Sequence, residues 1–372
     1  MKVGIDTFGC GHGQSGLSSY LDSLVTNLKN DGDIEYELFG SEIDRYTYGA
    51  ENGFKYAAVT IPDVRRIKSL WHYFGVNFFA SRHKYDAVLY TAAAHLLPLF
   101  YTIPGVAVIN DVLSELYAEQ VLSSKEFRVL IGLKNASRII AASRFIRDDL
   151  EKIGINGNKI EVIHNGIDHS QFYPREMLSS DFVDIKPFAI KRPYFIYASR
   201  MSSQTKKHVE LIRAFTKFKK RTKLPHRLVL AGSEGLYFDS VKKAAAESDF
   251  ASDIFITGFF PHEHFPELYS GSEGCLFPSV NEGVGLPVLE AMATGVPVAC
   301  SNAGALSEIA GNNAIFFDSD DINQMADAIE SLASDKNLRT RLRSGGIERA
   351  KNFSWKKTAE KTKKVLIKAT KR

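Results

Sequence analysis

The chain has 372 residues, of which 44% are hydrophobic and 24% are charged, and its net charge is +4. This length exceeds what one hydrophobic core usually supports, and the composition excludes an intrinsically disordered chain. The small positive charge is too weak to indicate nucleic-acid binding, although it suits phosphate-bearing substrates or an anionic membrane face.

Three widely separated cysteines without a CxxC pair argue against a disulfide framework or a zinc site, and we predict no metal site. The N-terminus enters an apolar strand directly. The longest apolar stretch, 92–109, is interrupted by His95, Pro98 and Pro104. We therefore expect a cytoplasmic protein without a signal peptide or a membrane span.

Short apolar runs alternate with longer amphipathic segments along the chain, which is typical of β-α-β units. Strands are predicted at 2–7, 35–39, 87–90, 106–109, 138–141, 159–162, 194–198, 227–231, 254–257, 274–277, 296–300 and 314–317. The segment 168–193 loses this periodicity and contains three prolines, as a linker does. The pattern predicts an α/β protein with two doubly wound, Rossmann-like domains, 1–178 and 185–355, that face each other across a cleft. A C-terminal helix, 356–372, is expected to pack back on the first domain.

A glycine-rich loop follows the first strand and contains GxGxxG at Gly11, Gly13 and Gly16. This motif supports one alternative function, an NAD-dependent oxidoreductase. However, such a fingerprint needs an acidic residue about 20 residues later, and Glu42 lies too far along the chain. The glycines would otherwise let the backbone approach a phosphate, and His12 in the same loop could reach an acceptor.

Residues 63–85 place apolar side chains at helical spacing and basic side chains at the start of the segment. The apolar set is Ile67, Leu70, Trp71, Phe74 and Phe78, and the basic set is Arg65, Arg66, Lys68 and His72. Two interpretations stay open: peripheral contact with an anionic membrane face, which would suit a lipid-linked acceptor, and an ordinary core-facing helix.

Polar residues follow two further strands of the first half. Asn110 and Asp111 end strand 106–109 and should emerge where substrates bind, although Asp111 is equally well explained as a plain strand end. Ser143 follows strand 138–141 and suits the cap of a helix, while Arg147 lies one turn further and could reach a substrate phosphate.

In the second half, Arg200 follows strand 194–198, and Lys206 comes six residues later. A guanidinium fork and a compact ammonium suit a leaving diphosphate, because negative charge grows there during group transfer. Lys207 is the alternative to Lys206.

The segment 277–295 predicts a strand, a glycine-rich turn and a short helix, with Pro287 in the first helical turn and Gly295 at the end. The loop Glu282, Gly283, Val284, Gly285 and Leu286 would aim backbone N–H groups at a diphosphate. Glu290, placed in the first turn of the helix, can accept hydrogen bonds from hydroxyl groups.

Glu282 and Glu290 are eight residues apart within SVNEGVGLPVLEAMATGVPV, and this segment resembles the EX7E signature of the family 4 retaining glycosyltransferases of the GT-B fold. ASRMSSQTKKHVELIRAF, AASRFIRDDLEKIG and VIHNGID share the resemblance, which extends over nearly the whole chain. It implies transfer of a hexose from a UDP- or GDP-sugar, with UDP-glucose preferred over GDP-mannose and with no metal or other cofactor. The acceptor would be a saccharide or a lipid-linked hydroxyl in polysaccharide biosynthesis.

The resemblance also implies roles for single residues. Glu282 would hold the donor sugar; Arg200, Lys206 and the amides of 283–286 would stabilise the leaving diphosphate. Glu290 would anchor the ribose, the stretch around Phe259 would accommodate the base, and the loop around Gly16 would approach the donor. Many members have histidine where this chain has Asn110, which leaves only hydrogen bonding to the transferred sugar. A non-catalytic nucleotide-sugar-binding subunit is a further alternative.

Overall fold

The computed structural model describes residues 1–12, 15–30, 32–49, 53–62, 64–114, 124–176, 182–185 and 188–371. They form two compact units, one of Met1–Gly166 with Trp355–Arg372 and the other of Ile167–Ser354. Residues 167–176, which the sequence assigned to the first domain, therefore belong to the second unit. Gly13 of the glycine loop and Asp63 of the segment 63–85 lie outside the described residues.

The first unit contains a seven-stranded parallel sheet in the order β3-β2-β1-β4-β5-β6-β7. Its strands are β1 (Lys2–Asp6), β2 (Glu35–Gly40), β3 (Lys55–Ala58), β4 (Ala87–Tyr90), β5 (Gly105–Ile109), β6 (Arg138–Ala141) and β7 (Ile160–Val162). The sequence analysis predicted all of them except β3, whose sequence KYAA gives only a weak apolar signal.

Helices cover both faces of this sheet. They are Gly16–Asn27, Glu42–Asp44, Arg65–Leu70, Val76–Arg82, Ser124–Asn135, Arg144–Lys152 and the C-terminal Trp355–Thr370, with π-helical turns at Arg45–Gly49 and Trp71–Gly75. Alternate strand residues feed two separate cores: Ala87 and Leu89 of β4 join one, Val88 and Tyr90 the other. A parallel sheet buried on both faces requires such continuous apolar strands.

The C-terminal helix packs on the helix Gly16–Asn27. The rings of Trp355 and Tyr20 meet edge to face with centroids 5.6 Å apart. Thr358 Oγ1 donates to the carbonyl of His164 at 2.8 Å. The last residues of the chain thus complete the first unit.

The second unit contains a six-stranded parallel sheet in the order β12-β11-β10-β13-β14-β15. Its strands are β10 (Tyr194–Ala198), β11 (Arg227–Ala231), β12 (Ile254–Gly258), β13 (Gly274–Phe277), β14 (Val298–Ser301) and β15 (Ala314–Phe317). All six were predicted. Its α-helices are His208–Thr222, Phe238–Ala246, Phe265–Ser270, Leu286–Ala293, Leu306–Ala310, Ile322–Ser334 and Lys336–Ala350.

The predicted linker also contains structure. Strands β8 (Phe182–Ile185) and β9 (Phe188–Lys191) form a two-stranded antiparallel sheet. Val183, Ile185 and Ile190 are buried and their neighbours along each strand are not. The period-two pattern was present, but each strand is only four residues long and prolines lie close by.

In both sheets the strand order reverses between the first strand and the fourth, β1 and β4 in one unit and β10 and β13 in the other. Ligands of doubly wound sheets bind beyond the carboxyl ends of the strands at such a reversal. In the second unit, the loops after β10 and β13 carry Lys206 and Glu282. Within the described part of the chain, no helix has the length and apolarity needed to cross a bilayer.

Candidate functional site

Lys206 and Glu282 are in direct contact in the second unit. Lys206 ends a 3-10 turn, Gln204–Lys206, in the loop after β10, and Glu282 lies in the loop after the neighbouring strand β13. Lys206 Nζ donates to Glu282 Oε1 at 2.6 Å, and both side chains are mostly buried. Because Nζ takes one carboxylate oxygen, Glu282 Oε2 stays available as an acceptor for another group.

Lys207 points to a different place. Its backbone has φ +56, in the left-handed region. Lys207 Nζ pairs with Asp320 Oδ1 at 2.6 Å and with Glu210 Oε1 at 3.6 Å. Of the two lysines that the sequence left open, Lys206 is the one at Glu282.

Two backbone hydrogen bonds fix the Glu282 loop. Val280 N donates to the carbonyl of Thr205 at 3.0 Å, and Ala305 N donates to the carbonyl of Glu282 at 2.8 Å. Gly304 makes the second approach feasible, since a Cβ on this residue would lie 2.7 Å from the Glu282 carbonyl oxygen. Sequence reasoning missed Gly304, because only the fold brings β14 beside the Glu282 loop.

The helix Leu286–Ala293 begins directly after this loop. Gly285 precedes it with φ +71, Pro287 lies in its first turn and Gly295 follows its end with φ +75, as predicted. The first amides of a helix have no intrahelical acceptor and carry a partial positive charge. Val284 and Leu286 are partly exposed and Gly283 and Gly285 are buried, so this end of the helix lies at the surface only in part.

Arg200 lies two residues after β10 and is exposed. Its Nε donates to the carbonyl of Glu234 at 3.4 Å. The structure therefore places Arg200 at the same edge of the sheet as Lys206, with its guanidinium directed at the loop after β11.

Glu290 is buried and both of its carboxylate oxygens have partners. It is the fifth residue of its helix, one turn deeper than the sequence analysis placed it. His262 Nε2 donates to Oε1 at 3.1 Å, and the Tyr269 hydroxyl donates to Oε2 at 3.2 Å. The hydrogen bond to Glu290 raises the pKa of His262. Neither partner was predicted, because a histidine 28 positions away carries no local signal.

Phe259 follows β12 and is 75% exposed, while its neighbour Phe260 is buried. Gly258 before it has φ +70, so the chain turns sharply at the end of β12. The Phe259 side chain is not used in the core of the unit.

In the first unit, His12 is held by a buried carboxylate. His12 Nδ1 donates to Asp44 Oδ1 at 2.6 Å, and Ser41 and Thr7 hydroxyls donate to Asp44 Oδ2 at 2.8 and 3.1 Å. This arrangement fixes the orientation of the imidazole and leaves Nε2 as its second polar atom. Gly16 starts the next helix, and a Cβ there would meet no atom within 4 Å.

Asn110 directly follows β5 and pairs with Asn165, whose Nδ2 donates to Asn110 Oδ1 at 3.2 Å. Among the described residues, Asn110 Nδ2 has no hydrogen-bond acceptor although it is buried. An unsatisfied buried amide is costly, so this donor suits a ligand. Asp111, next in the chain, is exposed.

Ser143 is the N-cap of Arg144–Lys152, and its side chain accepts from Ile146 N at 3.1 Å, as the sequence predicted. Arg147 pairs with Glu151 at 3.1 Å on the same helix. These contacts give both residues a structural role.

The segment 65–82 is helical throughout. Some of its aromatic side chains pack on the core, and others are exposed. Trp71 and Phe79 pack on Phe39, with ring centroids at 6.3 and 5.2 Å. His72 belongs to the basic set on which the membrane interpretation depends, but it is fully buried and its Nε2 lies 2.9 Å from Asp6 Oδ2. The contact with Asp6, a residue of β1, holds the imidazole in the interior.

Two family models match the chain. The model described as Glycosyltransferase Family 4 matches residues 14–171, and the model described as Glycosyl transferases group 1 matches residues 181–349. Between them they take in most of both units.

Curated relatives agree with these models. O-antigen chain mannosyltransferase B of Escherichia coli is 31% identical over 170 residues, which are 45% of this chain and 44% of that protein. O-antigen chain mannosyltransferase RfbU of Salmonella typhimurium is 23% identical over 335 residues, which are 87% and 88% of the two chains.

Solved structures match along the whole length. The Anabaena protein Alr3699/HepE, solved in complex with UDP, has a TM-score of 0.76 at 18% identity, covering 99% of each chain. Sucrose-phosphate synthase from Thermosynechococcus elongatus has a TM-score of 0.75 at 18% identity, covering 99% of this chain and 98% of that one. This likeness confirms the predicted GT-B fold class. With both halves of the chain matched by glycosyltransferase models, the protein belongs to the family 4 glycosyltransferases.

Proposed function

We propose that the chain is a retaining hexosyltransferase that uses a nucleoside-diphosphate sugar and acts in polysaccharide biosynthesis. The Lys206–Glu282 pair beside the start of the helix Leu286–Ala293 is the observation that carries this proposal. It joins a cation, a helix N-terminus and a carboxylate oxygen at one sheet edge, which suits a diphosphate attached to a hydroxyl-rich group.

In this proposal, positive groups stabilise the leaving diphosphate. Lys206 and the amides of 283–286 contact its oxygens, and Arg200 turns from the Glu234 carbonyl to join them. Preorganised donors act most strongly where charge develops in the transition state, and removing one typically costs about 100-fold or more in rate. These fixed cations take the part that a metal ion has in other transferases, so we expect full activity in EDTA.

The proposed sugar transfer needs no reagent other than the donor and the acceptor. The bond from the sugar C1 to the phosphate oxygen breaks as the bond from C1 to the acceptor oxygen forms on the same face. The acceptor proton passes to the departing phosphate, and the configuration at C1 is retained. Glu282 Oε2 accepts a hydrogen bond from a sugar hydroxyl, and Glu290 accepts from the ribose.

We assign contacts with the sugars to three residues of the first unit. Asn110 Nδ2, buried without an acceptor among the described residues, donates to the transferred sugar. His12, oriented by Asp44, and Asp111 contact the acceptor saccharide. We expect His12→Gln to raise the acceptor KM without changing the donor KM, and equal changes in both would contradict this assignment.

Two nucleoside-diphosphate sugars are candidates for the donor, GDP-mannose and UDP-glucose. The sequence analysis preferred UDP-glucose, and a structural neighbour was solved with UDP-glucose, but at 18% identity that likeness concerns the fold. Both O-antigen relatives are named mannosyltransferases, and one of them aligns over 87% of this chain. We therefore place GDP-mannose first.

The test is a donor panel read by released nucleotide, with GDP-mannose, UDP-glucose and NAD(H), in EDTA. We expect turnover of one nucleotide sugar, a loss of about 100-fold in Glu282→Gln and no change in Glu247→Gln, an exposed control directly after the helix Phe238–Ala246. Binding without turnover would favour the non-catalytic subunit, and reactivity with NAD(H) alone would favour the oxidoreductase.

We also propose that the helical segment 65–82 docks on an anionic membrane. Leu70, Phe74 and Phe78 recur every four residues and are 57%, 55% and 71% exposed. Phe74 lies beside the exposed Phe100, with ring centroids 6.4 Å apart. Arg66 and Lys68 stand on the same segment, and a basic, aromatic face of this kind suits anionic lipid at a lipid-linked acceptor.

A further inference from the structure

The second unit has a cavity of about 660 Å³ at the opposite edge of its sheet from Lys206 and Glu282. Its walls include the residues that come immediately before three strands: Arg192 and Pro193 before β10, Ser270–Glu273 before β13, and Thr294–Pro297 before β14. Since all strands of the sheet are parallel, these are amino ends, whereas the candidate donor site lies at the carboxyl ends. We call this cavity the amino-edge pocket.

The charges of the amino-edge pocket are strongly unbalanced. Five basic side chains and one carboxylate line it: Arg175, Arg192, Lys336, Arg339, Arg343 and Glu273. Like charges gathered around one cavity repel each other, and an anion between them relieves that repulsion. The volume is within the range of small-molecule sites.

The single carboxylate is already engaged. Glu273 Oε1 accepts from Arg339 at 3.1 Å, and Oε2 accepts from His226 at 2.6 Å. Burial acts to raise the pKa of Glu273, yet the His226 hydrogen bond and the charges of His226, Arg339 and Arg192 hold it below its usual value. Arg339 also donates to the carbonyls of Leu332 and Ala333 at 2.6 and 2.9 Å. Arg339 and Glu273 therefore form part of the wall.

Other cations of the pocket remain unpaired. Within the described ranges, Arg192, Lys336 and Arg343 have no carboxylate within 4.0 Å, in contrast to Lys206, Lys219 and Arg221 of the same unit. Arg175 lies over the Tyr173 ring at 4.8 Å and donates to the Gln171 carbonyl at 3.1 Å, which holds its guanidinium in place.

The hydroxyl groups of the pocket wall already donate their protons to the protein backbone. Those of Ser270, Ser272, Thr294 and Thr340 donate to backbone carbonyls at 2.7, 2.7, 3.0 and 3.0 Å. A ligand would therefore meet guanidinium and ammonium groups, and guanidinium forks match phosphate oxygens best.

We propose that the amino-edge pocket is a second anion site that binds a phosphate- or diphosphate-bearing molecule, separate from the donor site. Arg192, Arg343 and Lys336 supply its contacts, and Arg175 closes one side. The ligand is either a soluble phosphorylated compound or the headgroup of an anionic lipid. The inference goes beyond the proposed function and does not depend on it.

Calorimetric titration with inorganic pyrophosphate tests the site, in a Lys206→Ala background that weakens binding at the donor site. We expect the Lys206→Ala protein to bind pyrophosphate. Adding Arg192→Gln and Arg343→Gln to it should weaken this binding at least tenfold, because two phosphate contacts are lost. Lys242→Gln with Lys243→Gln removes the same charge from an exposed helix and should leave affinity unchanged. Arg343→Glu is a second, single-site variant, and thermal unfolding checks that each protein is folded.

A second arm separates the two sources of phosphate. If the Arg192 and Arg343 variants lose binding to phosphatidylglycerol vesicles as well as to pyrophosphate, the ligand is a lipid headgroup. If only pyrophosphate binding is lost, the ligand is soluble. Unchanged pyrophosphate affinity in the Arg192 and Arg343 variants, or an equal loss in the Lys242 and Lys243 control, would overturn the proposal.

Discussion

The two glutamates of the EX7E segment have different surroundings, and this difference indicates different roles. Glu282 shares one oxygen with Lys206 and keeps the other for a ligand, whereas Glu290 is buried and bound at both oxygens. A carboxylate oxygen has two lone-pair sites, so Glu290 can still accept from a ribose. Its orientation, however, depends on His262 and Tyr269.

His262 should therefore influence donor binding in a pH-dependent manner. Its pKa is raised by Glu290, so the imidazolium charge that strengthens the contact with Glu290 is fully present below the ordinary histidine range and is lost as pH rises through the raised value. We predict that His262→Ala raises the donor KM about fivefold at pH 6, the scale of a solvent-exposed ion pair, with little change in kcat. The difference from wild type should shrink towards pH 8.5.

The measurement is donor KM against pH for both proteins, with His264→Ala as the control. His264 lies on the same 3-10 turn, His262–His264, and its ring contacts that of Phe260, with centroids 6.4 Å apart. A KM ratio that stays constant with pH would show that His262 acts only as packing.

At the scale of elements, the Glu282 loop is positioned by a turn from another strand. Gly304 follows β14 with φ +63, and its backbone lies against Glu282. We predict that Gly304→Ala lowers donor turnover at least tenfold and destabilises the protein by about 1–3 kcal/mol, because the added Cβ strains the backbone and displaces the loop.

Gly53→Ala is the matched control for Gly304→Ala. Gly53 has φ +66, but a Cβ there meets no atom within 4 Å. It therefore reports the cost of the left-handed backbone alone, by thermal unfolding and turnover. Wild-type turnover in Gly304→Ala would mean that the loop position is set elsewhere.

The helical segment 65–82 gives a second prediction at this scale. Phe74→Ser with Phe78→Ser should weaken sedimentation with phosphatidylglycerol vesicles about tenfold or more, since two exposed rings lose their apolar contact with lipid. Ile43→Ser with Tyr46→Ser changes two other exposed apolar residues, at 59% and 74% exposure, and should have no effect. Equal losses in both pairs would remove the segment from the membrane proposal.

At the scale of the whole molecule, the sequence predicted nearly all strands of the two large sheets, because each buried strand is a nearly continuous apolar run. It failed for β3, a short strand at the edge of its sheet, and for β8 and β9, two short strands that form a separate sheet. The order of strands in each sheet then places the loops after β10 and β13 side by side, which the sequence predicted only as a consequence of the fold class.

Side-chain partners were harder to predict than strands. Lys206 and Glu282 are 76 positions apart, and His72 and Asp6 are 66 apart, so nothing local announces either pair. The motif supplied Lys206 and Glu282 as separate candidates. In contrast, His262 and Gly304 depend entirely on which loops the sheet brings together, and no residue pattern marked them.

The central claim is that Lys206, and not its neighbour, serves the leaving diphosphate. Donor turnover in Lys206→Ala and Lys207→Ala tests it most directly, because the two changes remove the same charge one residue apart. We predict a loss of about 100-fold or more for Lys206→Ala and less than about threefold for Lys207→Ala, whose ammonium is paired with Asp320. Equal losses, or a larger loss for Lys207→Ala, would contradict it.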